Sequence, residues 1–181
     1  MERKMTEHSL EQVKEWLDRI YLNEGGFTDN RKDRGNWTSG IIGVGELKGT
    51  NHGISAAQYP DLDIKNLTRL QAAQIYIDDY LKPIKANRFR DGVAYQMLDI
   101  AVISGPPRAK FLLQEAIKVT ADGHVGPITL AKMAGMSESD LIMLITARHI
   151  RFLVSLGSFD TFGGGWMVRK ARNLEFGAED S

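Results

Sequence analysis

From Thr68 to its end the chain reads as one helix after another, and it contains no cysteine to brace them. Packing of helix faces alone must therefore hold the fold. Thr68-Arg69-Leu70-Gln71 is a capping box, in which a threonine hydroxyl and a glutamine amide satisfy backbone donors that the first helical turn leaves open. Ala72, Ile75, Tyr76, Asp79 and Tyr80 follow, and Pro83 limits that helix. Further helices are predicted over 92–103, 107–119, 127–134, 138–156 and 166–174. Gly105-Pro106-Pro107 and Ala121-Asp122-Gly123-His124-Val125-Gly126-Pro127 join them, the second placing a proline in a helix's first turn.

The other end of the chain is built differently. Ser9-Leu10-Glu11-Gln12 is also a capping box, and Leu10, Val13, Leu17, Ile20 and Tyr21 recur on one face, which predicts a helix over 9–23. The same spacing carries Glu24 onto the buried stripe, and Gly25 or Gly26 can end the helix in the left-handed conformation. Residues 27–55 then show little periodicity and many turn formers, with Gly35, Gly40, Gly43, Gly45, Gly49 and Gly53 spread through them. Trp37-Thr38-Ser39 and Ile41-Ile42-Gly43-Val44 suggest a small hairpin inside this region. So long a loop in a compact domain is more often functional than idle. A carboxylate at its edge, on a buried face, is a candidate catalytic acid.

Composition removes several classes of function. With 181 residues, 43% of them hydrophobic and 25% charged, the chain suits one compact domain or two small joined ones. Its 23 lysines and arginines equal its 23 aspartates and glutamates, so no global field draws it to nucleic acid. Without cysteine there is no thiol nucleophile or zinc-thiolate site. His8, His52, His124 and His149 are too scattered for a metal motif, and no cofactor is implied. Residues 1–20 are charged throughout and lack the roughly 7–15-residue apolar core of a secretory signal. No run approaches the ~18 apolar residues of a membrane span. A soluble cytoplasmic product is expected.

Several motifs in order resemble glycoside hydrolase family 108, the N-acetylmuramidases found as phage endolysins. They are Glu24-Gly25-Gly26-Phe27, Asp33-x-Gly35, Thr50-Asn51-His52-Gly53-Ile54-Ser55, Ala73-x-Ile75-Tyr76, Leu98-Asp99-x-Ala101-Val102-x-Ser104-Gly105-Pro106 and Leu113-Gln114. Asp122-Gly123-x-Val125-Gly126-Pro127-x-Thr129-Leu130 is similar to the peptidoglycan-binding-type C-terminal half that accompanies the family, and Gly165-Trp166 to its closing Gly-Trp. Three features depart from the pattern, one being Asn51-His52-Gly53-Ile54 where Asn-Tyr-Gly-Ile is usual. Asp33-Arg34-Gly35-Asn36 stands where Asp-Pro-Gly-Gly is usual, with Asn36 able to reach the left-handed region. An extra run of about 37–48 separates parts that are otherwise nearly adjacent.

The resemblance implies a mainly α, lysozyme-like fold with a small hairpin and loop region near 35–55. It implies a catalytic half over 1–90 and a peptidoglycan-binding-type half over 91–181, packed as one globular unit. The reaction implied is hydrolysis of the β-1,4 bond between N-acetylmuramic acid and N-acetylglucosamine in a peptidoglycan strand. Glu24 would be the general acid, its carboxyl kept protonated by an apolar setting. Asp33 would activate water or stabilise the oxocarbenium ion, with Thr50 or Thr38 as the assisting loop hydroxyl and Asp29 as the reserve carboxylate. Asp33 also has a purely structural reading as a turn former.

Outside the loop, Asp99 reads as a buried structural acceptor for Arg148 or Arg151. Trp166, Met167 and Val168 followed by Arg169, Lys170 and Arg172 read as a packed helix with a solvated basic face, or as a contact for anionic wall polymer or membrane surface. The Asp122 to Thr129 motif is explained by turn geometry with or without wall binding. A monomer is expected, without stable membrane insertion, acting on the wall in the periplasm after holin-dependent release from the host cytoplasm. A bacterial secretion-associated muramidase, a non-catalytic wall-binding module and a chitinase-like hydrolase are the alternatives.

Overall fold

The computed structural model describes residues 8–20 and 26–180. The protein is mainly α: the described residues form seven α-helices, and their only sheet is a pair of short strands. Two compact units divide between Ile77 and Asp78, whereas the sequence suggests halves meeting at 90/91.

In the unit His8–Ile77, helix α1 (Leu10–Ile20) opens on Ser9, whose Oγ accepts a hydrogen bond from Gln12 N at 3.1 Å. Its buried face is Val13, Trp16, Leu17 and Ile20. Leu10, expected on that stripe, is 40% exposed. The stripe begins one turn later, where Val13 and Trp16 lie over the packing surface. That face packs against α2 (Arg69–Tyr76), and an exposed Asp18–Arg69 ion pair at 2.8 Å sits beside it. The Thr68 capping box forms as expected, with Gln71 Oε1 accepting from Thr68 N at 2.8 Å.

Between these helices β1 (Thr50–Asn51) pairs antiparallel with β2 (Ile54–Ser55), Asn51 standing opposite Ile54. His52 and Gly53 form the two-residue connection, with φ of 49° and 73°. This is the geometry whose twist matches that of paired strands. The hairpin lies within the expected 35–55 region but not on the segments picked out for it. Trp37 instead makes a single bridge to Leu47, and residues 41–44 turn. Gly40, Gly43 and Gly45 all take positive φ, so no extended run survives long enough to build a ladder.

In the unit from Asp78 onward, α3 (Asp91–Ser104) is buried continuously from Gly92 to Ala101. A helix buried on all sides must be central, and α4 (Pro106–Ala116), α6 (Glu138–Val154) and α7 (Phe159–Asp180) pack around it. Helix α5 (Pro127–Ala134) starts at its proline as expected. The helix expected over 107–119 stops at Ala116, and Lys118 takes a left-handed φ of 59°.

Helix α7 is the largest difference from the sequence reading, which has it only over 166–174. Gly163, Gly164 and Gly165 are helical, although each glycine costs a helix interior about 1 kcal/mol relative to alanine. Tertiary contacts offset that cost. Tyr95 donates from its hydroxyl to Asn173 Oδ1 at 2.9 Å, and Gln96 Nε2 donates to Asn173 O at 2.6 Å. Gly177 lies so close to Ile142 that a Cβ would come within 2.8 Å of its Cγ2.

Arg169 and Lys170 both turn onto the buried Asp99 carboxylate, Lys170 being buried as well. Burial alone would raise the Asp99 pKa, but the Lys170 and Arg169 charges and hydrogen bonds hold it at about 2. Asp99 is thus a structural acceptor, but not for Arg148 or Arg151. Arg148 pairs with Glu115 at 2.7 Å, and Arg151 is exposed. The expected solvated basic face is likewise corrected, since Lys170 points into the core. Nearby, buried His149 Nε2 meets Ser104 Oγ at 2.9 Å, and burial, then Lys170, lower its pKa to about 3. None of the described helices is long and apolar enough to cross a membrane.

Candidate active site

The Gly-rich loop closes around a side chain that the sequence reading treats only as a turn residue. Asn36 has no exposed surface and lies in a 3-10 turn, Arg34–Asn36, rather than in the left-handed region. Its Nδ2 donates to Asn30 O at 3.0 Å, and its Oδ1 accepts from Thr50 Oγ1 at 2.7 Å. Its carbonyl accepts from Lys48 N at 3.1 Å and Gly49 N at 3.0 Å, while its own N–H donates to Asp33 O at 3.2 Å. Five hydrogen-bonding groups from residues 30, 33, 48, 49 and 50 are thereby satisfied by one amino acid. As the hub of the loop, a buried asparagine needs such partners, because each of its polar groups left unpaired would be costly.

Asn36 links two of the three expected site residues, bonding the backbone carbonyl of Asp33 and the hydroxyl of Thr50. Asp33 is exposed, caps the 3-10 turn, and accepts from Gly35 N through Oδ1 at 2.8 Å. Its turn-forming role is therefore real, and among the described residues Oδ2 takes no hydrogen bond. Thr50 is half-buried on β1, its hydroxyl proton committed to Asn36 and its oxygen lone pairs facing away from that bond. Thr38 belongs elsewhere: its Oγ1 accepts from Glu46 N at 2.9 Å and closes a separate turn. Asp29 is exposed. Glu24 lies outside the described residues.

The chain just after Glu24 is nevertheless anchored to this hub. Thr28 exchanges both backbone hydrogen bonds with Thr50, at 2.9 and 2.8 Å. Phe27 and the Thr28 carbonyl press so closely on Gly49, whose φ is +86°, that a Cβ there would meet them at 2.6 and 2.5 Å. The hairpin end is fixed as well: Asn51 Nδ2 donates to the carbonyls of Ile64 and Leu67, and Tyr76 reaches His52 O from its hydroxyl. Burial lowers the pKa of His52, favouring its neutral form. Nothing in the local pattern distinguishes Asn36 from Asn30. Its role depends on which of the two the loop closes around.

The motif at Asp122 to Thr129 is explained by local turn chemistry. Gln114 of α4 donates from Nε2 to Asp122 Oδ1 at 2.7 Å and His124 O at 3.0 Å, and accepts from Gly123 N at 2.8 Å.

Residues 17–105, the stretch holding this loop, match the family model for glycosyl hydrolase 108. Over that stretch the chain is similar to the glycosyl hydrolase 108 family. Among solved structures it is similar to that of Brucella abortus SagA, with 29% identity, a TM-score of 0.75, and coverage of 96% of this chain and 97% of that one. Among curated proteins, none matches significantly. The match to glycosyl hydrolase 108 supports a glycoside hydrolase of the cell-wall class. The family match ends at residue 105, and the likeness to SagA continues over the helices beyond it.

Proposed function

We propose that this protein is an N-acetylmuramidase that cuts the β-1,4 bond between N-acetylmuramic acid and N-acetylglucosamine in peptidoglycan. Glu24 delivers a proton to the leaving oxygen. Asp33 serves the opposite side of the sugar, activating water or stabilising positive charge at the reacting carbon, and Thr50 orients the water. Asn36 is a positioning residue that holds Asp33's turn to Thr50. The observation that carries this reading is the Asn36 hub, which places a carboxylate with an uncommitted oxygen and a threonine hydroxyl on one rigid loop. That loop is anchored through Thr28 to the segment that follows Glu24. The biological role that fits is lysis from within as a phage endolysin, with release of the enzyme from the host cytoplasm by a holin.

The test is release of reducing ends from purified peptidoglycan, with mass spectrometry of the products. Wild type is expected to yield muropeptides ending in reducible N-acetylmuramic acid, and Glu24→Gln to lose at least a hundredfold in rate. Asp33→Asn should fall comparably, on the scale of general acid–base contributions, and Thr50→Val by less, about tenfold, because Thr50 only orients the water. Equal rates for wild type and Glu24→Gln would remove Glu24 as the acid. Products ending in N-acetylglucosamine would refute the assigned bond.

A further inference from the structure

The run of about 37–48 is a built feature with an apolar tip. Ile41, Ile42 and Val44 are 60%, 57% and 50% exposed on one turn. Their exposure is not slack in a loose loop. Ser39 Oγ donates to Val44 O at 2.8 Å and accepts from Ile41 N at 3.1 Å. Thr38 N donates to Glu46 O at 2.9 Å, Glu46 N returns a bond to Thr38 Oγ1, and Trp37 bridges Leu47 at the base. A knob held this firmly with three aliphatic side chains outward exposes surface that folding alone would bury.

The base of the knob is cationic. Trp37 Nε1 donates to Arg31 O at 3.0 Å and Trp37 N donates to Arg34 O at 3.2 Å, which stitches the turn of residues 31–34 to the knob. Arg31, Lys32 and Arg34 are all exposed, and among the described residues none of them makes an ion pair. Glu46 is matched by Lys48 at 3.6 Å, so the acidic groups left in this stretch are Asp29 and Asp33.

We infer that the knob is a reversible docking element for an anionic lipid surface, with Ile41, Ile42 and Val44 entering the interface and Arg31, Lys32 and Arg34 meeting headgroup phosphates. Aliphatic tips above a basic collar are the arrangement that interfacial binding uses. Ile41, Ile42 and Val44 offer no flat ring on which a sugar could stack. A single turn is also far below the roughly 1,200–2,000 Å² that a stable protein interface buries. A bilayer asks only for a few inserted side chains and nearby positive charge.

Cosedimentation of the full chain with vesicles tests this. Wild type should pellet with phosphatidylglycerol-containing vesicles and not with pure phosphatidylcholine, and binding should weaken with salt. I41S/I42S/V44S should bind at least tenfold more weakly, and R31Q/K32Q/R34Q should lose the preference for anionic lipid. A melting temperature equal to wild type shows that the serine variant is folded, as expected because the knob's bonds come from backbone, Ser39 and Thr38. Should that variant melt early, I42W supplies a second readout: its added tryptophan emission should shift to the blue only with anionic vesicles. Absence of wild-type binding, equal binding by the serine variant, or no shift from I42W overturns the proposal. So does light scattering that shows a dimer dissociated by the serine substitutions, which would assign the tip to a second copy.

Discussion

Replacing Asp99 with asparagine would leave the buried Lys170 ammonium and the adjoining Arg169 guanidinium facing each other across a neutral amide. Two terms set the size of the effect. The carboxyl's pKa is held at about 2 against an ordinary 3.8, which at ~1.4 kcal/mol per pH unit is on the order of 2–3 kcal/mol of stability at neutral pH. The substitution also strands one buried cation, and breaking a buried pair by removing one partner costs about 3–5 kcal/mol in all. A chain of this size loses roughly 2–4 °C of melting temperature per kcal/mol, so D99N should melt at least about 6 °C below wild type. K170M should be milder, because the methionine keeps most of the buried volume and leaves Asp99 paired with Arg169. Thermal melts followed by circular dichroism measure both. A D99N protein melting within about 2 °C of wild type, or K170M melting below D99N, would refute the reasoning.

Other outcomes follow from the same geometry. His149 titrates near 6.5 unfolded and at about 3 folded, so between those values the unfolded chain binds the extra proton. Its contribution is complete above pH 6.5 and declines as the pH falls toward 3, by about 2 kcal/mol at pH 5. Urea denaturation at pH 7.5 and pH 5 should show the loss, and His149→Gln should flatten it. Asp99 adds its own loss only between 3.8 and about 2. Gly49→Ala should cost about 2–4 kcal/mol, because a Cβ would enter the space of Thr28 O and Phe27 at a positive φ. Gly43→Ala, equally left-handed but with nothing nearby, should cost only about 1–2 kcal/mol; equal denaturation midpoints for the two would count against the close approach. Asn36→Ala should lower stability by about 2–4 kcal/mol through groups left unpaired, and should reduce peptidoglycan hydrolysis at least tenfold in the reducing-end assay.

Local signals carried most of the helical architecture. The Thr68-to-Gln71 capping box and Pro127 each mark a helix start that forms where the residues place it, because both act through atoms within one turn of the chain. Features that depend on distant partners were not legible. Gly163 to Gly165 read as a break, yet the helix runs through them because Lys170 and Asn173 find buried partners on α3. Lys170 itself reads as surface, as lysines usually do. In the loop, Asp33 and Thr50 are candidates through the family resemblance, whereas Asn36, which bonds the Asp33 backbone and the Thr50 hydroxyl, carries no such mark. Hydrogen bonds that close a loop on itself obey no period, and glycine positions alone did not separate the turns at 40–45 from the strands at 50–55.

The neck of the knob bears on how such a loop can change over time. Asn36 accepts from Lys48 and Gly49, and Trp37 bridges Leu47, so the two ends of the intervening segment are already fastened side by side. Whatever lies between them inherits an entrance and an exit a strand's width apart, and lengthening such an excursion costs little entropy. Residues 38–46 are therefore a cassette. They can be shortened to a tight turn, extended or exchanged for a different tip, while Asp33 and Thr50 keep their places on the far side of Asn36.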